Sequence, residues 1–431
     1  MGGTDVRRFP AWGLVTLIIL TVAIAATVRS DLLPFRGRLH HASALGPQTT
    51  GQAHRHKLTP LKVRTTLEKL LGHHAVLSIR MMRAEVQDTP DFTHVLRDAL
   101  GANASDLATA VTALHGSSAG DRFRRLWVSH NIALYKYARA VASNDAKSKQ
   151  ASVAQLNRYR RNFGRFIEKA TNSALKATAV AGALKAHVDQ LLDQIEAYSR
   201  RRYGKAYRLE RQAFAHMFPV GKTLAVGLTG MLPGEFPLPV HNPGHELRSA
   251  LTLLLGEHVE LVVDATRAGL RGLPEFKFAA RALNGNTKDL SQAMDTLFGP
   301  RSARQFNDVW SDHIDLFVNY TIASAEGDES EMEKTRARLR NFPLKLARFL
   351  GRATGYKRVG ALNHALGMHE DLLLRHIDTY AGGEYKVAHR VAYRAYQHMA
   401  STAVRLGALI EKRARTLAPS GGLQTGGGGT G

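Results

Sequence analysis

From Leu61 onward, the hydrophobic residues recur at spacings of three and four, the period of an amphipathic helix. Leu67, Leu70 and Leu77 form one such row, which ends at the turn sequence Asp88–Pro90. No stretch alternates with the period of two that a half-buried strand would show over a useful length. The pattern therefore predicts an all-α protein.

Turn sequences divide the first half of the chain into about six predicted helices. "HGSSAGD" separates the second helix from the third, and the fourth contains the very basic stretch "NRYRRNFGRFIEK". The predicted ranges of the others are 61–87, 92–114, 122–143, 179–200 and 203–228. The second half has turn sequences at corresponding places.

The segment 255–399 repeats the segment 71–217 nearly in register. "LLGEHVEL" matches "LLGHHAVL", "VWSDHIDLFVNY" matches "LWVSHNIALYKY", and "AYQHM" matches "AFAHM". This indicates two tandem helical bundles of about six helices, each with a four-helix-bundle-like core, at 61–230 and 246–415. A proline-rich linker at 231–245 joins them. The alignment superimposes four pairs of histidines: His74 and His258, His130 and His313, His187 and His369, and His216 and His398.

The spacing of the histidines predicts that they meet only if the chain folds back. On one straight helix His187 and His216 would lie about 43 Å apart. The midpoint between them falls at Arg201 and Arg202, and the corresponding midpoint in the second half falls beside Gly383. A turn at these points would place the two histidines level on an antiparallel helix pair. Apolar neighbours at helical spacing predict that all eight histidines point inward.

Buried imidazoles need partners for their ring nitrogens. The candidates are one another, backbone groups, buried water, the hydroxyls of Tyr198 and Tyr380, a transition metal or a haem. A metal site of imidazoles without thiols favours copper or zinc, with Met217 and Met399 as additional thioether candidates. In a purely structural interpretation the histidines only pack in the core, and a catalytic role is a third possibility. Asn103 and Asn286 are predicted to be turn or capping residues. No carboxylate recurs beside the histidines, which argues against a di-iron carboxylate bundle.

Composition narrows the chemistry. The 431 residues include no cysteine, so disulfides, thiolate metal sites and cysteine nucleophiles are excluded. Lys and Arg number 59 against 36 Asp and Glu, a formal net charge of +23. Such a charge favours a polyanionic partner. The basic residues concentrate in three groups: Arg158, Arg160, Arg161 and Arg165; Arg200, Arg201, Arg202 and Lys205; and Lys334, Arg336, Arg338, Arg340 and Lys345.

The N-terminal region predicts attachment to a membrane. Ala11–Val28 is apolar and uncharged over a length that fits a membrane span or a long signal-peptide core. We expect residues 1–30 to be an anchor or signal that places the rest of the chain outside the cytoplasm of a bacterium. Residues 31–60 resemble a flexible tether, and the glycine-rich tail at 416–431 resembles a disordered segment.

The repeated words resemble a known repeat. "LLGEHVELVVDATRAGL", "FNDVWSDHIDLFVNY" and "HIDTYAGGEYKVAHRVAYRAYQHM" are similar to a tandem helical repeat of bacterial secreted and surface proteins, some of which are labelled copper amine oxidase-like. The resemblance implies a helical fold and an envelope location, but no activity. The matching residues are His258, Trp310, His313, His398 and Met399, with His74, Trp127, His130, His216 and Met217 in the first half. An amine-oxidase catalytic domain is not expected, because "NYT" at Asn319–Thr321 lacks the acidic residue of that motif.

Two functional hypotheses follow. The first is a membrane-tethered, extracytoplasmic binding protein whose two histidine-lined bundles bind copper, zinc or haem. The second is a structural envelope protein whose basic helices bind anionic lipid or wall polymer. The sequence carries no Ser-His-Asp order, phosphate loop or carboxylate pair that would indicate an enzyme, and no motif for reading nucleic acid.

Overall fold

The computed structural model describes residues 59–231 and 243–417, and every regular element within these ranges is an α-helix. This confirms the predicted all-α class. In chain order the helices are α1 (Pro60–Val86), α2 (Pro90–His115), α3 (Ser117–Ala142), α4 (Ala146–Ala170), α5 (Ala177–Ser199), α6 (Tyr203–Gly230), α7 (Pro243–Leu270), α8 (Phe276–Phe298), α9 (Pro300–Glu326), α10 (Glu329–Leu339), α11 (Phe342–Thr354), α12 (Val359–Ala381) and α13 (Tyr385–Leu417). Among these helices, none has both the length and the apolarity needed to cross a bilayer.

The predicted anchor at Ala11–Val28 lies outside the described residues, as do most of the predicted tether, linker and tail. One boundary differs from the prediction. Helix α7 begins at Pro243, inside the range expected to be a linker. Proline suits the first turn of a helix, where its missing N–H would have no partner anyway, so a proline-rich stretch can also mark a helix start.

Helix α1 is the centre of the first half. Thr59 caps it by accepting a hydrogen bond from the backbone N–H of Lys62 at 3.2 Å, and Pro60 begins it. Nearly every side chain from Val63 to Ala84 is buried, whichever way it points. The helix packs against α2, α3, α5 and α6, and its far side contacts α7. The apolar row predicts the helix and one buried face, but it does not show that the other faces are buried too.

The second half has its own hydrophobic core around α7, which packs against α8, α9, α12 and α13. The described part of the second half contains seven helices where six were expected. The fourth helix is divided into α10 and α11, because Pro343 stands at the start of α11 and has no N–H to continue the hydrogen bonding of a preceding helix.

The two helix hairpins occur where the sequence predicts them. Helix α5 ends at Ser199 and packs against α6, with Arg201 in the turn at a φ of 56°. Helix α12 ends at Ala381 and packs against α13, with Gly383 in the turn at a φ of 77°. Glycine reaches this left-handed conformation without strain, which explains the clearer turn signal in the second half.

A buried ionic network joins α1 to α7. The Arg80 guanidinium donates to Asp264 at 2.5 Å and to Glu260 at 2.6 Å. His73 contributes a 2.7 Å contact between its Nδ1 and the Glu260 carboxylate, and Arg83 pairs with Glu210 at 2.7 Å. All of these side chains are buried. Because the contacts advance along both helices together, α1 and α7 run parallel.

Close helix packing makes one glycine essential. A Cβ at Gly164 of α4 would collide with the backbone carbonyl oxygen of Ala177, where α5 begins. We expect Gly164→Ala to lower the free energy of unfolding by about 1–3 kcal/mol, since backbone must move to admit the methyl group. Gly182→Ala is the matched control, because nothing lies within 4 Å of its Cβ position on exposed α5 surface.

Urea denaturation of the full chain measures both changes. The control should be stabilised by about 0.5–1 kcal/mol, the usual gain from replacing a mid-helix glycine. Equal shifts in the two variants would contradict the packing described for α4 and α5.

Candidate metal centres

The first candidate centre joins three histidines from three helices. His74 lies on α1, His130 on α3 and His187 on α5, and all three side chains are completely buried. One ring nitrogen from each lies within 4.8 Å of the other two. The Nε2 atoms of His74 and His130 are 3.0 Å apart, with one ring donating to the other. We call these three residues the first cluster.

The second cluster repeats this arrangement with His258 on α7, His313 on α9 and His369 on α12. Its ring nitrogens also approach within 4.8 Å of one another, and the three side chains are at most 1% exposed. It is slightly more open than the first. The ring centroids of His258 and His313 lie 5.6 Å apart, whereas those of the corresponding His74 and His130 lie 4.9 Å apart.

The fourth histidine of each half belongs to neither cluster, and the expectation of four imidazoles meeting is wrong in this respect. His216 donates through Nε2 to the Ala183 carbonyl at 3.0 Å, and His398 donates to Ala365 at 2.7 Å. Each hairpin does bring its two helices together. However, the carbonyl that His216 contacts lies on α5 one helical turn before His187. The His216 ring therefore links α6 to α5 and does not reach the cluster.

Most cluster nitrogens have no hydrogen-bond partner within the described part of the chain. This holds for both ring nitrogens of His187, His258 and His369, and for Nδ1 of His74. Leaving a buried polar group unpaired costs roughly 1–3 kcal/mol. Six such rings in two tight groups therefore need a further partner, which a bound ion would supply.

Tyr198, one of the two tyrosines predicted as partners of the histidines, bonds to other residues. The Tyr198 hydroxyl donates to the carboxylate of Glu275 and accepts a hydrogen bond from Gln87. The predicted thioether candidates, Met217 and Met399, are both buried in the hydrophobic cores.

Burial keeps the cluster imidazoles neutral. Desolvation lowers the pKa of His130 and of His313 to about 3. Desolvation also places the pKa values of His74, His187 and His369 well below the usual range, and the neighbouring histidines of each cluster lower them further. A neutral imidazole has the free lone pair that a metal ion requires, so the donors are available well below pH 7.

Aromatic side chains close each cluster from one side. Trp127 lies 4.8 Å from His74 between ring centroids, and Tyr159 stacks on His130 at 4.4 Å. In the second cluster Trp310 lies 4.8 Å from His258. Phe342 likewise stacks on His313 at 4.0 Å.

The three acidic residues next to the histidines of the second half have different surroundings. Glu257 is bound by Arg211 at 2.8 Å, and Asp312 is a partly exposed partner of Arg338 at 3.2 Å. Only Glu370 faces the cluster. Its Oε2 lies 3.3 Å from Nδ1 of His313 in a fully buried position, and burial raises its pKa well above the usual range.

The donor set suits copper or zinc. Two nitrogens bound to one tetrahedral zinc at about 2.0–2.1 Å are roughly 3.3 Å apart. The His74 and His130 nitrogens already have nearly this separation, at 3.0 Å. The remaining ring nitrogens lie within 4.8 Å of one another, so their rings would rotate inward to bind one ion. Three imidazoles leave one coordination position open.

Sequence reasoning missed two features of the site. Glu370 was set aside because Val188 stands at the corresponding place in the first half. Asn103 and Asn286, predicted as turn residues, instead lie inside α2 and α8, where they donate to the carbonyl groups of Leu70 and Leu254, each at 2.9 Å. In both cases the signal is a polar residue inside an otherwise apolar helical row.

The predicted basic groups lie on helix surfaces and turns. Arg158, Arg161 and Arg165 form an exposed row on α4, and Arg200, Arg201 and Arg202 form the exposed turn before α6. In the second half, Arg336 pairs with Asp378 at 3.3 Å, Arg338 pairs with Asp312, and Lys345 lies 3.7 Å from the same aspartate.

Comparison with known proteins gives this chain no relative. No family model, no curated protein and no solved structure matches it.

Proposed function

We propose that the protein binds transition-metal ions, one in each three-histidine cluster. The single observation that supports this most strongly is the convergence of three fully buried, mostly unpartnered imidazoles in each half. A structural role alone would leave these nitrogens without compensation, at a cost that a bound ion removes. The complete burial of the ligands favours holding or carrying an ion over catalysis at an open site.

Copper and zinc are the ions that we favour. Both accept imidazole ligands, and the chain has no thiolate to compete for them. A haem is a poorer candidate than a single ion, because Trp127 and Tyr159 occupy the space beside the first cluster, and Trp310 and Phe342 occupy it beside the second.

We further propose that the halves are duplicated bundles that each form one site. The support is a set of matching contacts at aligned positions. Asn103 and Asn286 donate to the helices that carry His74 and His258, and Gly116 and Gly299 end α2 and α8 with the same φ of 82°. The carbonyl contacts of the fourth histidines also match.

A metal titration of the untagged full chain, with a competing chelator to exclude weak surface binding, tests the proposal. We expect two equivalents of monovalent copper per wild-type chain and one in either His130→Asn or His313→Asn. The double variant should bind none. His216→Asn with His398→Asn is the matched control and should keep both ions, because those rings bond backbone carbonyls.

Thermal melting of the same samples separates ligand loss from unfolding. Each occupied site should stabilise the wild type, by about 2.7 kcal/mol when the free ion is at 100 times its Kd. Unchanged stoichiometry in the His130 and His313 variants, while both remain folded, would rule out the clusters as the binding sites.

The proposed cellular location of this protein rests on the sequence. We propose that Ala11–Val28 tethers it to a bacterial membrane with the helical region outside the cytoplasm. Fractionation of cells that express the full chain, with protease added to intact cells, would test the tether and its orientation together.

The surface of α4 supports a second candidate function, the binding of an anionic lipid surface. Arg158, Arg161 and Arg165 are exposed at spacings of three and four, so they form one cationic row along the helix. Replacing all three with glutamine should weaken sedimentation with anionic vesicles at low salt and leave neutral vesicles unaffected. The variant should retain both metal ions, which separates the two candidate functions.

A further inference from the structure

Glu370 gives the two clusters different electrostatic environments. The residue that follows His187 in the first cluster is Val188, whereas the residue that follows His369 in the second is Glu370. The Glu370 side chain is 2% exposed, and neither carboxylate oxygen has a well-aligned hydrogen bond. Its nearest polar contact is Nδ1 of His313, at 3.3 Å. An acidic group this deeply buried stays neutral unless a positive charge lies beside it, and a cation bound nearby would favour its carboxylate form.

The neighbouring acids do not alter this difference. Arg211 neutralises Glu257 from 2.8 Å, and Arg338 and Lys345 accompany Asp312 at the surface. Glu370 is thus the acidic side chain beside the second cluster that has no cationic partner among the described residues, and burial keeps it neutral while no ion is bound. The group of potential ligands consists of histidines alone at both clusters, so Glu370 distinguishes the second cluster through its contact with His313 and not as a ligand.

The charge of a buried ion decides what each cluster accepts. The desolvation cost of an ion rises with the square of its charge, so a divalent ion among three neutral imidazoles is far more costly than a monovalent one. Beside a bound divalent ion Glu370 would be a carboxylate, which would reduce the net charge of the occupied site from two to one. The carboxylate would also accept a hydrogen bond from Nδ1–H of His313, which would orient the Nε2 atom of that ring toward the ion.

We propose that Glu370 makes the second cluster a site for a divalent cation, whereas the first cluster, which lacks a carboxylate, takes monovalent copper. This inference rests on the proposed metal-binding function and assigns the charge class of the ion at each site. Glu370 acts in it as a positioning and charge-balancing residue through His313, not as a direct ligand.

Divalent cobalt and monovalent copper are the probes, each titrated against a competing chelator into the untagged full chain, with copper handled anaerobically under reductant. We expect one tight equivalent of Co²⁺, detected by its visible absorption, and two equivalents of Cu⁺. His313→Asn should abolish tight Co²⁺ binding, and His130→Asn should leave it intact.

Two substitutions of Glu370 separate charge from shape. Glu370→Gln retains the shape, and Glu370→Val reproduces the first cluster. Both should weaken Co²⁺ binding by about 10–100-fold, the usual effect of losing a carboxylate that orients a metal-bound histidine. Both should still bind two equivalents of Cu⁺. Removing a buried carboxyl should not prevent folding, so these variants remain informative if the reciprocal Val188→Glu, expected to add a second Co²⁺ site, fails to fold.

The outcomes distinguish this inference from the proposed function. Equal Co²⁺ occupancy of both clusters in the wild type, or unchanged Co²⁺ affinity in Glu370→Gln, would overturn the inference and leave histidine-based metal binding in place. Failure of both Cu⁺ and Co²⁺ to bind would overturn the proposed function and the inference with it.

Discussion

Acidifying the metal-free protein from pH 7 to pH 5 should strongly lower its free energy of unfolding. Burial lowers the pKa of His130, His313 and His389 to about 3 and that of His376 to about 4. These rings stay neutral in the folded protein but gain protons near pH 6.5 in the unfolded chain. Each therefore reduces the stability by roughly 1.4 kcal/mol per pH unit below 6.5, until the pH reaches its folded-state pKa.

Carboxyl groups modify this effect without reversing it. Burial raises the pKa of Glu210 and Glu370, so these two groups add stability as the pH falls toward 4.5. Although burial would raise it, the pKa of Glu246 is lowered to about 2 by Arg64 and Lys222. Its contribution is present above the unfolded-state value and is lost only as the pH falls below about 4.5. The histidines dominate between pH 6.5 and 5, where the four together lower the stability by about 8 kcal/mol, a large part of the roughly 5–15 kcal/mol typical of a folded protein.

Urea denaturation at several pH values measures this slope. His258→Leu removes one buried imidazole and should reduce the slope by about 1.4 kcal/mol per pH unit. His94→Leu, at an exposed position on α2, is the control and should leave the slope unchanged. A stability that stays level from pH 7 to 5 would contradict the burial of neutral histidines.

Replacing Arg80 with methionine should cost about 3–5 kcal/mol of stability, because Glu260 and Asp264 would lose the guanidinium that binds both in the buried interface of α1 and α7. Removing one member of a buried ion pair leaves the desolvation cost of its partner without compensation.

The control is a pair of the same kind at the surface. Lys185 and Asp189 lie 2.6 Å apart, with both side chains 54% exposed, so Lys185→Met should change the stability by less than about 0.5 kcal/mol. Chemical denaturation at pH 7.5 without metal compares the two. Similar losses would show that the α1 and α7 network is not the buried electrostatic contact described above.

The sequence predicts the features that depend on local pattern. Helical periodicity gives the all-α class, and the breaks at "HGSSAGD" and "YAGGEY" give the turns beside Gly116 and Gly383. Alignment of the halves singles out eight histidines, six of which the structure brings together in two clusters. Side-chain direction follows from apolar neighbours at positions three and four residues away, which is local information too.

The remaining features depend on which helices meet. The offset of His216 from His187 by one turn is set by the tilt and register of a hairpin, which spacing from the turn does not determine. The contact between Glu370 and His313 joins α12 to α9, and the Arg80 network joins α1 to α7. Opposite charges at the corresponding positions Arg80 and Asp264 were a signal of that second contact, visible only once α1 and α7 are known to pack in parallel.

Anomalous X-ray diffraction from crystals of the full chain loaded with monovalent copper tests the metal-binding proposal most directly. The account predicts one anomalous peak in each half, about 2.0–2.1 Å from one nitrogen of each of three histidines: His74, His130 and His187 in the first, and His258, His313 and His369 in the second. Peaks only at surface histidines, with both buried clusters vacant, would contradict it.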